Sequence, residues 1–206
     1  MAIKNLIFDF GGVLLDWNPR YFYNGVFKDE KKADDFIKNI CTSEWNAQMD
    51  RGVPFAEAIA QLQKEHPEYE REIGLYRIGW DTMLKGEIEE GVRMFRDCVK
   101  DGRYPLYGLT NWSAETINVA YRRFSFLKDL EGIVVSGEER MIKPDKRIYQ
   151  VLLERYHLKP EECVFIDDNP DNVAAAAKLG IHALRCTGDY TALKQELHKL
   201  TGINFS

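Results

Sequence analysis

The stretch that decides the fold is residues 3–12, IKNLIFDFGG, in which a short apolar run leads into an aspartate and two glycines. Four more apolar runs of strand length occur later in the chain, at residues 104–109, 132–135, 163–166 and 181–184. Continuous apolar character, rather than alternation, is typical of strands that are covered on both faces. The sequence therefore predicts a parallel sheet between layers of helices.

The segments between these runs have helical spacing. Ile148, Val151 and Leu152 lie on one helical face, and Gly180 follows residues 173–179 where the C-terminal cap of a helix is expected. Strands and helices thus alternate along the chain. We predict an α/β protein with a Rossmann-like, doubly wound parallel sheet.

One connection is much longer than the others. Residues 9–103 separate the first apolar run from the second, whereas a usual connection has about 2–6 residues beside its helix. Apolar residues keep helical spacing in this segment, in two series: Phe55, Ala58, Ile59 and Leu62, then Tyr69, Ile73, Tyr76, Trp80 and Leu84. We expect a small all-helical cap at residues 17–88, inserted into a catalytic α/β core of residues 1–16 and 89–206.

Composition and charge exclude several classes of protein. The chain has 206 residues, with 28 Lys and Arg against 33 Asp and Glu, and a net charge of −5. A nucleic-acid partner is not expected, because binding phosphates requires a basic face. A membrane partner is not expected either, because no stretch approaches the roughly 18 apolar residues of a membrane helix. The four cysteines form no C-x-x-C pair, so we expect reduced thiols and a cytoplasmic protein. We also expect a monomer.

Polar residues that can carry chemistry follow the predicted strands. They are Asp9, Thr110, Asn111, Lys143, Asp167 and Asp168. In an open parallel sheet, the loops that leave the carboxyl ends of the strands meet at one crevice where ligands bind. We therefore expect three carboxylates, a hydroxyl group and an ammonium group in one pocket.

The charges in this pocket predict a divalent cation. Three carboxylates and a phosphate dianion together carry −5, and Lys143 supplies only +1. Mg²⁺ suits this site because it binds carboxylate and phosphate oxygens. Asp9 can then attack phosphorus and form an aspartyl-phosphate that water hydrolyses. Gly11 and Gly12 allow backbone N–H groups to approach the transferred oxygens.

The ordered set of motifs resembles the haloacid dehalogenase superfamily of hydrolases. The matching segments are DFGGV at 9–13, LTN at 109–111, IKP at 142–144 and FIDDN at 165–169. They occur in the family's order within residues 3–180, and the long gap after the first fits the family's helical cap. The resemblance implies a phosphatase in which Asp9 is the nucleophile and a metal ligand and the backbone carbonyl of Gly11 binds the metal. Asp168 is then a direct ligand, and Asp167 binds directly or through water.

The same resemblance implies that Thr110, Asn111 and Lys143 hold the phosphoryl group. One position departs from the family pattern, since most of its phosphatases carry a second aspartate where this chain has Gly11. That aspartate protonates the leaving group and later activates water. We therefore hypothesise that better leaving groups than simple alcohols are favoured. Members of the family with glycine at this position include sugar 1-phosphate phosphatases. A nearby carboxylate, Asp16, is expected to cap the helix that enters the insert.

Two alternatives stay open. A haloacid dehalogenase uses the same nucleophile without a metal, but it has hydroxyl and amide residues where this chain has Asp167 and Asp168. The second alternative is a catalytically weak phosphate-binding module, against which the complete set of nucleophile, lysine and metal acids argues. Each motif taken singly is also typical of a segment without a catalytic role. The IKP motif at 142–144, for example, is typical of a helix start with a solvated lysine, Lys143.

Substrate specificity is expected to come from the cap. Trp112, next to the phosphate loop, is a candidate for substrate contact, and an aromatic wall suits a sugar or another small metabolite. Further candidates in the insert are Trp17, Arg20, Trp45, Asn46 and Arg51.

Overall fold

A five-stranded parallel sheet forms the centre of the computed structural model, which describes residues 2–206. Within this range the chain forms seven strands, of which five belong to this sheet. The strands are β1 (Asn5–Phe8), β2 (Leu15–Trp17), β3 (Leu84–Glu87), β4 (Leu106–Thr110), β5 (Gly132–Val135), β6 (Cys163–Asp167) and β7 (His182–Arg185). The sheet has the order β5-β4-β1-β6-β7, with every neighbouring pair parallel. The predicted doubly wound α/β fold is confirmed, and each of the five predicted apolar runs contributes one strand.

Helices cover both faces of the sheet and fill the long connection after β2. They are α1 (Arg20–Phe27), α2 (Glu30–Asn39), α3 (Ser43–Asp50), α4 (Phe55–Glu65), α5 (Glu70–Gly74), α6 (Tyr76–Met83), α7 (Glu89–Asp101), α8 (Ile117–Arg123), α9 (Ser136–Glu139), α10 (Lys146–Arg155), α11 (Pro170–Lys178) and α12 (Tyr190–Thr201). Helices α1 to α6 all lie between β2 and β3.

The central strand β1 shows why its sequence is continuously apolar. Leu6 and Phe8 belong to one hydrophobic core, whereas Ile7, on the opposite face, belongs to another. Phe8 packs edge to face against Phe95 of α7, with ring centroids 5.3 Å apart. Since successive side chains of a strand point to opposite faces, a strand between two helical layers needs apolar residues at every position.

The long insert is mainly helical, but it also contains a strand that the sequence analysis did not predict. Strands β2 and β3 pair antiparallel, so a two-stranded ribbon joins the beginning and end of the insert. Its sequences, LDW and LKGE, contain too few apolar residues to mark a strand. The helical pattern predicted from residue 69 to residue 84 is also divided, between α5 and α6. The division into a core and a cap at residues 17–88 stays a prediction, and the ribbon lies at both of its boundaries.

Two further observations concern the sequence as a whole. Within residues 2–206, no helix combines the length and the apolar character needed to cross a membrane. Cys41, Cys98, Cys163 and Cys186 all carry free, buried thiols.

The sheet order places the chemistry at one edge. Strand β1 lies between β4 and β6, and its last residue, Phe8, pairs with Gly108 on one side and with Ile166 on the other. The direction in which successive strands are added to the sheet reverses at β1. The chain adds β4 and β5 on one side of β1, and later adds β6 and β7 on the other side. Ligands of open parallel sheets bind at such a reversal, beyond the carboxyl ends of the strands.

Candidate active site

A buried lysine connects two aspartates at the strand ends. The Nζ atom of Lys143 lies 2.9 Å from Oδ1 of Asp9 and 2.6 Å from Oδ2 of Asp167, and it donates a third hydrogen bond, of 2.8 Å, to the carbonyl of Leu109. The Lys143 side chain has no exposed surface. All three donors of the ammonium group are therefore satisfied inside the protein. A solvated lysine at a helix start does not describe this residue.

Asp167 is held on both of its oxygens. Its Oδ1 accepts hydrogen bonds from the backbone N–H of Asn169 at 2.8 Å and from the side chain of Asn172 at 3.0 Å. Its Oδ2 accepts from Lys143 and, at 3.1 Å, from Asn172. One nitrogen of Asn172 reaches both oxygens, so three donor groups hold this carboxylate in place.

Three carboxylates come together at this edge of the sheet. Asp9, Asp167 and Asp168 each offer one oxygen, and these oxygens lie within 4.8 Å of one another. Gly12 makes the approach of Asp168 possible. Its φ is +71°, and a Cβ atom there would meet the Asp168 Cγ at 2.6 Å. Oxygen ligands at this spacing fit Mg²⁺, the predicted cofactor.

Burial and mutual repulsion shape the titration of these acids. Burial raises the pKa of Asp9 well above its ordinary value, Lys143 lowers it, and Asp167 and Asp168 raise it further. Burial also raises the pKa of Asp168, and the negative charge of Asp167 raises it further. Burial lowers the pKa of Lys143, but its pairing with Asp9 and Asp167 outweighs this and raises it overall. The site therefore keeps its lysine charged and disfavours additional negative charge unless a cation is present.

Thr110 and Asn111 lie at the end of β4, beside this group. Asn111 and Lys143 exchange two hydrogen bonds: the Asn111 amide donates to the Lys143 carbonyl at 3.1 Å, and its Oδ1 accepts from the Lys143 N–H at 2.9 Å. Asn111 thus positions the lysine loop. The buried Thr110 Oγ1 finds no hydrogen-bond partner within the described part of the chain, so it remains available to a ligand.

A cavity of about 120 Å³ lies next to these residues. This volume is small beside the roughly 300–1,000 Å³ of pockets for drug-sized ligands. Its lining residues come from the strand-end loops and from the insert: Gly11, Trp17, Asn46, Asp50, Trp80, Asn111 and Trp112.

Comparison with known proteins identifies the family. The model of the haloacid dehalogenase-like hydrolases matches residues 3–180. The chain belongs to the haloacid dehalogenase-like hydrolase family. The family membership predicted from the four motifs is thus confirmed, and with it the assignment of an enzyme.

Relatives of this hydrolase include proteins of similar length. It is 29% identical to the sesquiterpene phosphatase astK of Aspergillus oryzae, over 98% of each chain. It is 25% identical to a phosphorylated carbohydrates phosphatase of Thermotoga maritima, over 88% of this chain and 84% of that protein. A match to mouse acyl-CoA dehydrogenase family member 10, 43% identical over 75 residues, spans 36% of this chain but only 7% of that longer protein.

A solved structure shows the same fold. It is the magnesium complex of the HAD family enzyme bt-2542 from Bacteroides thetaiotaomicron, with a TM-score of 0.71 and 22% identity, over 94% of this chain and 98% of that chain. At this level of identity the likeness concerns the fold and not the reaction.

The structure separates the candidate specificity residues of the hydrolase into two groups. Trp17, Asn46 and Trp112 line the cavity. Arg20 does not line it and pairs with Asp34 at 2.7 Å on the exposed surface. Two further candidates also lie outside the cavity lining: Trp45 is buried and donates to the Ala58 carbonyl at 3.3 Å, and Arg51 lines a separate pocket near Pro144.

Asp16 does not cap a helix, contrary to expectation. It lies in β2 and accepts a hydrogen bond of 2.7 Å from the Tyr21 hydroxyl, and the residue at the cap position of α1 is Pro19. Asp16 is also outside the lining of the cavity.

Two cavity residues were not predicted as functional, Asp50 and Trp80. The sequence places Trp80 in the apolar series of a helix, and it does pack against Trp112, with ring centroids 5.4 Å apart, while also lining the cavity. The only signal for Asp50 in the sequence is its position four residues after Asn46, which places both on the same face of α3.

Proposed function

We propose that this hydrolase is a Mg²⁺-dependent phosphomonoesterase that acts on a small phosphorylated metabolite through an aspartyl-phosphate intermediate. The observation that carries the proposal is the juxtaposition of Asp9, 2.9 Å from a buried Lys143, with the two acids Asp167 and Asp168. A nucleophilic carboxylate in such a group needs charge compensation, which the lysine and a divalent cation supply.

The residues of the chain divide the work as follows. Asp9 attacks phosphorus while Lys143, held by three acceptors, keeps its positive charge beside the attacking carboxylate. The unpartnered Thr110 hydroxyl donates to a phosphoryl oxygen. Asp9, Asp168 and the Gly11 carbonyl would hold Mg²⁺, which supplies positive charge for the phosphoryl oxygens. We assign water-bridged binding to Asp167, because its oxygens already accept four hydrogen bonds.

The electrostatics favour this function over a metal-independent dehalogenase. A haloacid is an anion, and Asp167 and Asp168 stand where it would have to approach Asp9. Without a cation these acids repel it, whereas a metal-bound phosphate monoester is attracted. The curated relatives that match most of their own length are named as phosphatases, which supports the same choice.

The substrate class is proposed from the cavity. Its walls are largely indole, from Trp17, Trp80 and Trp112, and two of the indole N–H groups, those of Trp17 and Trp112, are buried without a partner among residues 2–206. Aromatic walls with unused donors suit a compact molecule that carries oxygen atoms. A sugar 1-phosphate meets this description, and the phosphorylated carbohydrates phosphatase among the relatives agrees with it. We propose that residues 17–88 form a cap that closes over this substrate.

The function is tested with an aryl phosphate, with and without Mg²⁺, on the wild type and on Asp9→Asn. We expect metal-dependent release of phosphate by the wild type, and a loss of at least ~10³-fold in kcat for the variant, because no other group can take the nucleophile's place. Asp35→Asn, at an exposed position of α2, is the matched control and should retain full activity.

Two outcomes would contradict the proposal. Halide release from a 2-haloacid without metal would indicate the dehalogenase. Phosphate binding without turnover, in wild type and Asp9→Asn alike, would indicate a binding module. A panel of phosphorylated metabolites then defines the substrate, and a clear preference for aldose 6-phosphates over 1-phosphates would exclude the sugar 1-phosphate.

A further inference from the structure

The last residue of α3, Asp50, lines the same cavity as Gly11, the position of the missing acid. Both Asp50 and Gly11 line this cavity, together with Asn111 and Trp112 of the strand-end loops. The space beside Gly11 is open, since a Cβ atom there would meet no atom within 4 Å in the described structure. A carboxyl group that reaches this space from the insert can therefore face the region that the family's second aspartate would occupy.

Hydrogen bonds hold Asp50 in place from several sides. The amide of Asn46 donates to its Oδ2 at 3.1 Å, and the Tyr76 hydroxyl donates to Asn46 Oδ1 at 2.9 Å, which fixes that amide. The Asp50 carbonyl accepts a hydrogen bond of 2.6 Å from Ser136 at the start of α9. Asp50 is thus tied both to its own helix and to the edge of the parallel sheet.

The surroundings of Asp50 suit a group that changes protonation near neutral pH. Burial raises the pKa of its carboxyl to about 7, against the positive charges of Arg51 and Lys143 and a backbone hydrogen bond from Ser113, which all lower it. No lysine or arginine forms an ion pair with Asp50 within 4.0 Å among residues 2–206. A general acid works best when its pKa is close to the working pH.

We propose that Asp50 is the general acid and base of this phosphatase, in place of the aspartate that Gly11 removes. The inference rests on the proposed function. In the first half-reaction, Asp9 forms a bond to phosphorus, the bond from phosphorus to the leaving oxygen breaks, and that oxygen takes the proton of the Asp50 carboxyl. The products are the alcohol, the aspartyl-phosphate and ionised Asp50.

The second half-reaction restores both acids. Ionised Asp50 takes a proton from water as the water oxygen bonds to phosphorus and the bond to Asp9 breaks. Inorganic phosphate leaves, Asp9 is again a carboxylate and Asp50 is again protonated. No oxidant, reductant or further reactant is required, and one water is consumed for each ester.

The test compares leaving groups. Protonation matters most for a poor leaving group, so Asp50→Asn is expected to lower kcat/KM for an alkyl phosphate by ~10²-fold or more, and for 4-nitrophenyl phosphate by less than ~10-fold. Asparagine can keep the hydrogen bonds of Asp50, which limits structural effects. Asp50→Glu, which keeps an acid, should preserve the wild-type ratio between the two substrates. Glu44→Gln, at an exposed position of the same helix, is the matched control and should behave as wild type.

A second arm uses the open space beside Gly11. In the double variant Gly11→Asp, Asp50→Asn, the acid returns at the family position, and alkyl-phosphate turnover should recover at least ~10-fold relative to Asp50→Asn. An equal fall for both substrates in Asp50→Asn, or no fall, would overturn the proposal. A double variant that is active on 4-nitrophenyl phosphate without recovering alkyl turnover would also count against it.

These outcomes separate the inference from the function on which it rests. If wild type shows no metal-dependent turnover of any phosphate, the phosphatase itself is wrong. If turnover is normal and depends on Asp9, but Asp50→Asn leaves the ratio between leaving groups unchanged, only the assignment of Asp50 is wrong.

Discussion

Two acidic residues of the candidate active site, Asp167 and Asp50, differ in what surrounds them. Asp167 is fully buried at the end of β6 and accepts four hydrogen bonds, one of them from a charged lysine. Asp50 ends a helix of the insert, and its side chain is bonded to the neutral amide of Asn46. Lys143 pairs with Asp167 at 2.6 Å, whereas no lysine or arginine among residues 2–206 forms an ion pair with Asp50. The strand-end acids therefore suit charge and metal binding, and the helix acid suits proton transfer.

The largest effect is expected when Asp9 and Asp167, at the strand ends, lose the positive charge of Lys143. Lys143→Met leaves Asp9 and Asp167 buried without their lysine, and breaking a buried pair in this way costs about 3–5 kcal/mol. Urea denaturation should show this loss in the free energy of unfolding. Lys146→Met, at an exposed position three residues later, should change it by less than about 0.5 kcal/mol. A Lys143→Met protein as stable as wild type would mean that Lys143 does not compensate the charges of Asp9 and Asp167.

Magnesium should distinguish the two acids. A ligand at a hundred times its Kd stabilises the folded state by about 2.7 kcal/mol, so Mg²⁺ should raise the melting temperature of the wild type, and a chelator should reverse the shift. Asp168→Asn should remove most of this shift, because its carboxylate belongs to the cluster of three acids. Asp50→Asn should keep the shift in full. Loss of the shift in Asp50→Asn would place Asp50 with the metal acids and would break the comparison.

A comparison of two glycines tests whether the position of Asp168 depends on the absence of a side chain at Gly12. Gly12 and Gly188 both have a positive φ, of +71° and +88°, but only Gly12 is close to Asp168. Alanine at either position should destabilise the fold by about 1–2 kcal/mol, because side chains disfavour this conformation. Only Gly12→Ala should also raise the Mg²⁺ concentration for half-maximal activity, by ~10-fold, as expected when a metal ligand is displaced. Equal Mg²⁺ requirements in both variants would show that Asp168 does not depend on Gly12.

The effect of pH is the smallest at neutrality and grows above it. Asp50 donates its proton only when protonated, and its pKa of about 7 means that this form decreases as pH rises. For an alkyl phosphate, kcat/KM of the wild type should thus fall by ~10-fold for each pH unit well above 7. Arg51 and Lys143 are the charged groups that act on Asp50. The raised pKa of Lys143 keeps it positive in this range. The decline should be absent for Asp50→Asn, and a wild-type profile that is flat up to pH 9 would contradict the role of Asp50.

Much of the fold follows from the sequence because one physical condition fixes it. A strand between two helical layers must be apolar at every position, and four of the five sheet strands satisfy this along most of their length, whereas the edge strand β7 is apolar only at its two central residues. The ribbon of β2 and β3 lies outside these layers. It contains Asp16, Lys85 and Gly86, and therefore carries no apolar signal.

The site could be predicted to the extent that the sheet builds it. Asp9, Lys143, Asp167 and Asp168 come together because the ends of adjacent parallel strands must meet at one edge. Asp50 could not be predicted in the same way, since the face that α3 turns toward the pocket depends on how the insert docks. That docking uses single hydrogen bonds, such as the one between Asp50 and Ser136, which leave no pattern in the sequence.

The two-stranded ribbon has a mechanical consequence. The chain enters the helical insert through β2 and leaves it through β3, and because Leu15 pairs with Glu87 and Trp17 with Leu84, these crossings are fastened to each other. A rotation of the insert about this ribbon would leave Trp17 near the pivot and move Asp50, at the end of α3, with the helices. With the role proposed for Asp50, such a rotation would separate the proton donor from Asp9 while the pocket is open, so that admission of substrate and chemistry would alternate in time.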